Sequence, residues 1–125
     1  METQGNKPHR ILVVDDELLI RESIKRALDF DGNVIETAVN GKQALAGFEK
    51  DKFDLLILDY EMPDMRGDEL ALLVKALDPH QPIAMVTAYP GTLAGNLLTE
   101  VDIIIGKPFR PQELREAAIR LFAKR

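Results

Sequence analysis

Asp15 and Asp16 directly follow the apolar run "ILVV", and Asp59 closes "LLIL" within the stretch "LLILDYEMPDMRG". Thr87 ends "PIAMV" and Lys107 comes just after "DIII". Each of these residues stands where a short apolar run stops. If the runs are neighbouring strands of one sheet, three carboxylates, a hydroxyl and an amine converge at one rim. The acids would then repel one another, and a hard divalent cation answers that repulsion: magnesium prefers oxygen ligands, binds one or two carboxylates and keeps waters and phosphate oxygens around it. The whole set is suited to moving a phosphoryl group. Metal and amine neutralise its oxygens, a carboxylate attacks phosphorus and the hydroxyl binds the transferred group. Taken singly, each residue has a plainer reading. Asp15 or Asp16 alone serves as a helix cap and Asp59 as a turn starter. Thr87 alone is a β-branched strand residue and Lys107 a surface lysine.

The elements that must position these groups are legible as an alternation. Apolar runs at 11 to 14, 33 to 38, 54 to 59, 82 to 88 and 102 to 105 recur between amphipathic stretches. From Leu18 to Phe30, Ile20, Ile24, Ala27 and Leu28 fall at helical spacing. A second helix is expected from about Gly41 to Lys50, with Ala44, Leu45 and Phe48 inward, and a third from about Asp68 to Leu77, with Leu70, Leu73, Val74 and Leu77 inward. Asp78-Pro79 ends it. The last helix opens at Pro111 and buries Leu114, Ala118 and Leu121. Its final cations, Arg120, Lys124 and Arg125, read as a solvated terminus matched to the helix dipole. Between Thr87 and Val101, Pro90, Gly91 and Gly95 predict a short or loose helix. Strands apolar throughout, joined by helices, mean a parallel α/β sheet buried on both faces with right-handed crossovers. In such sheets ligands bind beyond the carboxyl ends of the strands, where the strand order reverses.

Composition narrows the function classes. At 125 residues and 46% hydrophobic content, the chain supports one core and not two. Residues 1 to 9 read as a short disordered lead and 10 to 125 as the domain. The formal charge of −5 argues against direct binding to nucleic acid or anionic membranes. Without cysteine there is neither disulfide nor thiolate metal site, and no apolar stretch is long enough to span a bilayer. The polar start, "METQGNKPHR", lacks the apolar core of a secretory signal. A cytoplasmic location is expected. The end of the chain just after the last helix leads to the expectation of a single unit without a further domain, either stand-alone or part of a longer protein.

Four motifs in order, "VVDDE", "LDYEMPDMRG", "VTAY" and "KPF", resemble the acidic pair, phosphoacceptor segment, switch hydroxyl and lysine-proline turn of the response regulator receiver domain of two-component signalling, of which the chemotaxis regulators are one type. The resemblance covers nearly the whole chain after the lead. It implies a flavodoxin-like doubly wound fold, a five-stranded parallel sheet in the order 2-1-3-4-5 with helices on both faces, and a cis bond before Pro108. It implies that Asp59 accepts a phosphoryl group and that Asp16, Asp59 and the backbone carbonyl of Glu61 bind Mg²⁺, with Asp15 assisting through water. Thr87 and Lys107 would contact the phosphoryl group. The donor would be a sensor histidine kinase or a histidine phosphotransfer protein. The response would be a rearrangement of the face formed by helix 4, strand 5 and helix 5, through which a symmetric homodimer could also form. Such a domain is not an enzyme in the ordinary sense, since it catalyses only its own phosphorylation and dephosphorylation.

Two positions depart from the family pattern. Ile104 stands three residues before the lysine, where the family often has an aromatic residue that swings inward, and the segment between Thr87 and Lys107 is slightly short. Glu61 and Tyr89 flank the expected path of a hydrolytic water and are expected to tune the lifetime of phosphorylated Asp59. Two rival readings follow from the same residues. One is a binding module that keeps the fold and works without phosphorylation. The other is a phosphatase with an aspartyl-phosphate intermediate, which needs a second acid as general acid/base; a nucleophile after the third strand rather than the first disfavours it.

Overall fold

The computed structural model describes residues 8 to 95 and 100 to 125. Strands β1 (Arg10–Val14), β2 (Val34–Ala38), β3 (Leu55–Asp59), β4 (Ile83–Thr87) and β5 (Ile103–Gly106) alternate with helices α1 (Leu18–Asp29), α2 (Gly41–Gly47), α3 (Gly67–Leu77), α4 (Pro90–Gly95) and α5 (Pro111–Phe122). All neighbouring strands are parallel, in the order β2-β1-β3-β4-β5. The order reverses between β1 and β3, so the ends of these two strands flank the crevice that the sequence predicts.

The uniform apolarity of the central strands is explained by two cores. Leu12, Val14, Leu56, Leu58, Ile83 and Met85 face one side, where Leu70, Ala71 and Val74 of α3 and Ala44 of α2 cover them. Ile11, Val13, Leu55, Ile57, Ala84 and Val86 face the other, under Ile24, Ala27 and Leu28 of α1 and Leu114, Ala118 and Leu121 of α5. β3 and β4 are buried at every position. The outer strands are not: Val34 of β2 is exposed and most of β5 is half-buried, because an edge strand has a neighbour on one side only.

Helix limits and faces differ from expectation in detail. α2 ends at Gly47, not near Lys50, and α1 at Asp29. On α3, Leu70 and Val74 point inward as expected, but Leu73 and Leu77 are exposed and Ala71 takes the inner place. Leucine fills both faces of this helix, so apolarity alone does not fix its rotation. α4 is short, as its glycines and proline predict; positions 96 to 99 of the same segment lie outside the described residues, as do positions 1 to 7 of the lead. His9, at the end of that lead, stacks on Phe122 with ring centres 3.8 Å apart.

The helix starts follow sequence chemistry. The Asn40 side chain accepts the Gln43 N–H at 2.8 Å, and Glu69 and Glu113 reach back to the N–H groups of Arg66 and Arg110 at 2.9 and 2.7 Å. The end of α5 is a correction to the solvated terminus read from sequence. Arg125 is paired at 2.8 Å with Asp78, which is buried, and at 3.1 Å with Asp51. Lys124 meets Asp102 at 2.7 Å. Asp102 also ties β5 to β4, since its carboxylate accepts the Ile83 N–H at 2.9 Å while its own N–H donates to the Ile83 carbonyl at 2.9 Å. At the opposite end of the same strand pair, the Lys107 N–H donates to the Thr87 carbonyl at 2.8 Å.

Candidate functional site

The carboxyl ends of β1, β3, β4 and β5 bring together the acids, hydroxyl and amine singled out by the sequence. Asp15 follows β1 directly, its N–H held by the Ala38 carbonyl at 3.1 Å and its own carbonyl by Arg21 at 2.8 Å. One Asp15 oxygen accepts the Glu17 N–H at 2.8 Å, closing a turn just before α1. The N-cap position of α1 is Glu17, which makes no side-chain cap, so Asp15 does not cap the helix itself. The second Asp15 oxygen, Oδ2, is buried without a hydrogen-bond partner among the described residues and lies 3.9 Å from the Lys107 ammonium.

Asp59 is the last residue of β3, in register with Val86 of β4, and is almost fully buried. Its Oδ1 accepts a hydrogen bond from Lys107 Nζ at 2.9 Å and a longer one from the Glu61 N–H at 3.3 Å. Its Oδ2 has no hydrogen-bond partner among the described residues. Lys107 is aimed inward from the turn after β5, where the Lys107-Pro108 bond is cis, as the family resemblance implies.

Carboxylate oxygens of Asp15, Asp16 and Asp59 lie within 4.8 Å of one another. Asp15 and Asp59 are buried and Asp16 is exposed, so the cluster has dry walls and an open mouth. Burial raises the Asp59 carboxyl to about 6 against the ordinary 3.8, because desolvation and the neighbouring Asp15 charge outweigh the Lys107 ammonium. Burial also raises Asp15, although the Glu17 amide and Lys107 oppose it. The Lys107 ammonium is lowered by burial but raised more by Asp59, so it stays charged. Two buried, unpartnered carboxylate oxygens beside an exposed third acid fit a hard divalent cation that takes oxygen ligands and keeps waters.

Thr87 and Glu61 complete the rim in a way not anticipated. Thr87, fully buried at the end of β4, donates its hydroxyl hydrogen bond to the Glu61 carboxylate and accepts the Tyr89 N–H at 3.1 Å. Glu61 also accepts the Ala88 N–H at 3.3 Å. Tyr89 itself is exposed, and Ile104 is half-buried against the core that contains Met85. Gly67 opens α3 against the site. A Cβ there would stand 2.5 Å from the Asp59 carbonyl and 2.6 Å from the Met85 sulfur, so only glycine lets α3 start hard against the strand that carries Asp59. No periodicity or spacing signals the Glu61 and Thr87 contact, since the partners are joined only through the fold.

Comparison with known proteins agrees with this geometry. The chain matches the response regulator receiver domain over residues 11–119. It is 37% identical to the response regulator MprA of Mycolicibacterium vanbaalenii over 86% of this chain and 47% of that protein. It is 35% identical to the transcriptional regulatory protein TrcR of Mycobacterium tuberculosis over 86% of this chain and 42% of that protein. The chain thus spans a little under half the length of these two relatives. Among solved structures, a CheY-like receiver domain protein from Methanospirillum hungatei superposes with a TM-score of 0.85 at 33% identity, covering 94% of this chain and 96% of that one. The response regulator TrrA of Thermotoga maritima, solved in complex with Mg²⁺ and BeF, superposes at 0.80 with 38% identity, covering 90% of this chain and 98% of that one. With the order of its strands, the acids at their ends and these relatives in accord, the chain belongs to the receiver domain family of two-component response regulators.

Proposed function

We propose that this domain is a phosphorylation-activated switch in which Asp59 accepts a phosphoryl group from the phosphohistidine of a sensor kinase or phosphotransfer protein. The observation that carries the reading is the division of labour on Asp59. One carboxylate oxygen is held by Lys107 at 2.9 Å, and the other is buried with no hydrogen-bond partner. The free oxygen forms the new bond to phosphorus as the bond from phosphorus to the donor nitrogen breaks, and the electron pair returns to the imidazole. Lys107 balances charge on the acceptor, and Thr87, on the neighbouring strand, supplies a hydroxyl to the transferred group. Asp16, Asp59 and the Glu61 backbone carbonyl would hold Mg²⁺, with Asp15 assisting. When bound, the metal supplies positive charge that offsets repulsion among the carboxylates and the phosphoryl oxygens.

Engagement of Thr87 then alters the segment that follows β4 and, through it, the face of α4, β5 and α5. That face is where a homodimer would form, which concentration-dependent light scattering with and without a phosphoryl mimic would detect. We place this switch in the cytoplasm; among the described residues no helix is long and apolar enough to cross a membrane. Glu61 engages Thr87 and Ala88 in the unphosphorylated arrangement.

Intact-mass measurement after incubation with acetyl phosphate tests the reading. We expect a metal-dependent phospho-adduct that is lost in Asp59→Asn. A folded protein that forms no adduct would instead be a binding module that works without phosphorylation.

A further inference from the structure

The Thr87 hydroxyl is fully committed. Its hydrogen goes to Glu61 Oε2, and its oxygen accepts the Tyr89 N–H. The adjacent Ala88 N–H goes to the other Glu61 oxygen, Oε1. A carboxylate therefore spans two neighbouring donors at the end of β4, next to the strand end that carries Asp59. An anion with two oxygens is what these donors select, and a phosphoryl group on Asp59 is another such anion.

We propose that the Glu61 side chain is an internal anionic ligand of these donors, and that it competes with a phosphoryl group on Asp59 for Thr87. The inference deepens the function proposed above and rests on Asp59 as phosphoacceptor. Thr87 is fully buried, so its hydroxyl has no water to turn to and must always be engaged by some acceptor. Glu61 is half-buried, so its carboxylate rehydrates when displaced. That asymmetry makes the contact displaceable: the protein side of the bond needs a replacement, and the phosphoryl oxygen is one. The Glu61 N–H is on the Asp59 carboxylate, so displacement of the side chain calls for no movement of the main chain. Glu61 thus holds the unphosphorylated arrangement without blocking the nucleophile, and its negative charge adds a repulsion that an arriving dianion must overcome.

Beryllofluoride, with Mg²⁺, serves as the probe, titrated calorimetrically into the native protein, Glu61→Gln, Glu61→Ala, Thr87→Ala and Asp59→Asn. A charge-assisted hydrogen bond is worth roughly a factor of ten or more in affinity. We expect Glu61→Ala to bind the probe about tenfold more tightly than native. Glu61→Gln, which retains an uncharged acceptor for Thr87, should fall between them and also guards against misfolding of the alanine variant. In a Thr87→Ala background, Glu61→Ala should give much less of that gain. Before any probe or metal is added, the Ala88 and Tyr89 amide signals should move in the NMR spectrum of Glu61→Ala. Native binding with unchanged or weaker affinity in Glu61→Ala would overturn the competition while leaving Asp59 as acceptor. Failure of native to bind, or equal binding by Asp59→Asn, would instead remove the phosphoacceptor reading on which the competition stands.

Discussion

Without divalent cation, the most informative substitution is Asp59→Asn, and we expect it to stabilise the fold. The reason is the cost of keeping a charge where Asp59 sits. Its carboxyl titrates at about 6 in the fold against 3.8 ordinarily, a difference set first by burial and then eased by Lys107. A carboxyl raised on folding contributes fully to stability below its unfolded value and loses that contribution as pH rises through the folded one. At about 1.4 kcal/mol per pH unit, the raised titration of Asp59 lowers stability by about 3 kcal/mol at pH 7.5, where the charge is buried, and by about 1.6 at pH 5 and about 0.5 at pH 4, where folding must take up a proton. Asparagine keeps the shape and carries no charge at any of these values. The assay is denaturant unfolding of both proteins in chelator at the three pH values. The variant should gain about 3 kcal/mol at pH 7.5, corresponding to about 10 °C in Tm for a domain of this size, and almost nothing at pH 4. Adding Mg²⁺ at pH 7.5 should narrow the gap, since a cation that binds only the folded carboxylate cluster stabilises native most. A variant no more stable than native at pH 7.5, or a gap that does not change with pH, would refute the claim that burial of the Asp59 charge strains the fold.

Three further outcomes follow from the packing. Gly67→Ala should cost about 2 to 4 kcal/mol in unfolding free energy, because its Cβ would overlap the Asp59 carbonyl and the Met85 sulfur, whereas Gly47→Ala, with open space around it, should change stability little. Arg125→Ala should cost about 2 to 3 kcal/mol at pH 7 by leaving the buried Asp78 carboxylate without its cation. Burial pushes Asp78 up, but Arg125 and the His80 amide hold it below its ordinary value, so its contribution is present above pH 3.8 and lost as pH falls below it; the deficit of Arg125→Ala should shrink there in acid unfolding curves. On α3, Val74→Ala should cost about 1 to 3 kcal/mol in thermal melts while Leu73→Lys should be near neutral, since the first is buried and the second exposed.

The sheet and the acidic cluster could be read from the chain because both depend on local order. An acid that ends an apolar run lands at a strand end whatever the rest of the fold does, which is why Asp15, Asp59, Thr87 and Lys107 meet as expected. What escaped the reading depends on partners far away in sequence. Nothing near Arg125 announces that Asp78 will be buried beside it, and nothing near Thr87 announces Glu61. Leu73 and Leu77, expected in the core, are exposed because α3 is leucine-rich on two faces and the choice of inner face is made by the surface it packs on. The constraint on Gly67 likewise comes from a distance, from Asp59 and Met85 on two separate strands.

The bracing of β4 and β5 limits how any signal can leave the site. At one end Asp102 holds Ile83 through both its side chain and its backbone, and at the other the Lys107 amide holds the Thr87 carbonyl. A plank bolted at both ends neither slides nor tilts. Under the proposed exchange, Thr87 would change partner by rotation of its side chain, and the recoil would fall on Ala88 to Pro90, whose N–H groups at Ala88 and Tyr89 are held, among the described residues, only by the Glu61 and Thr87 side chains. Pro90 rests against Gly106, where an added Cβ would come within 2.9 Å of its ring. In the switch proposed above, the β4 and β5 pair would be the fixed shaft and the short helix α4 the arm that moves.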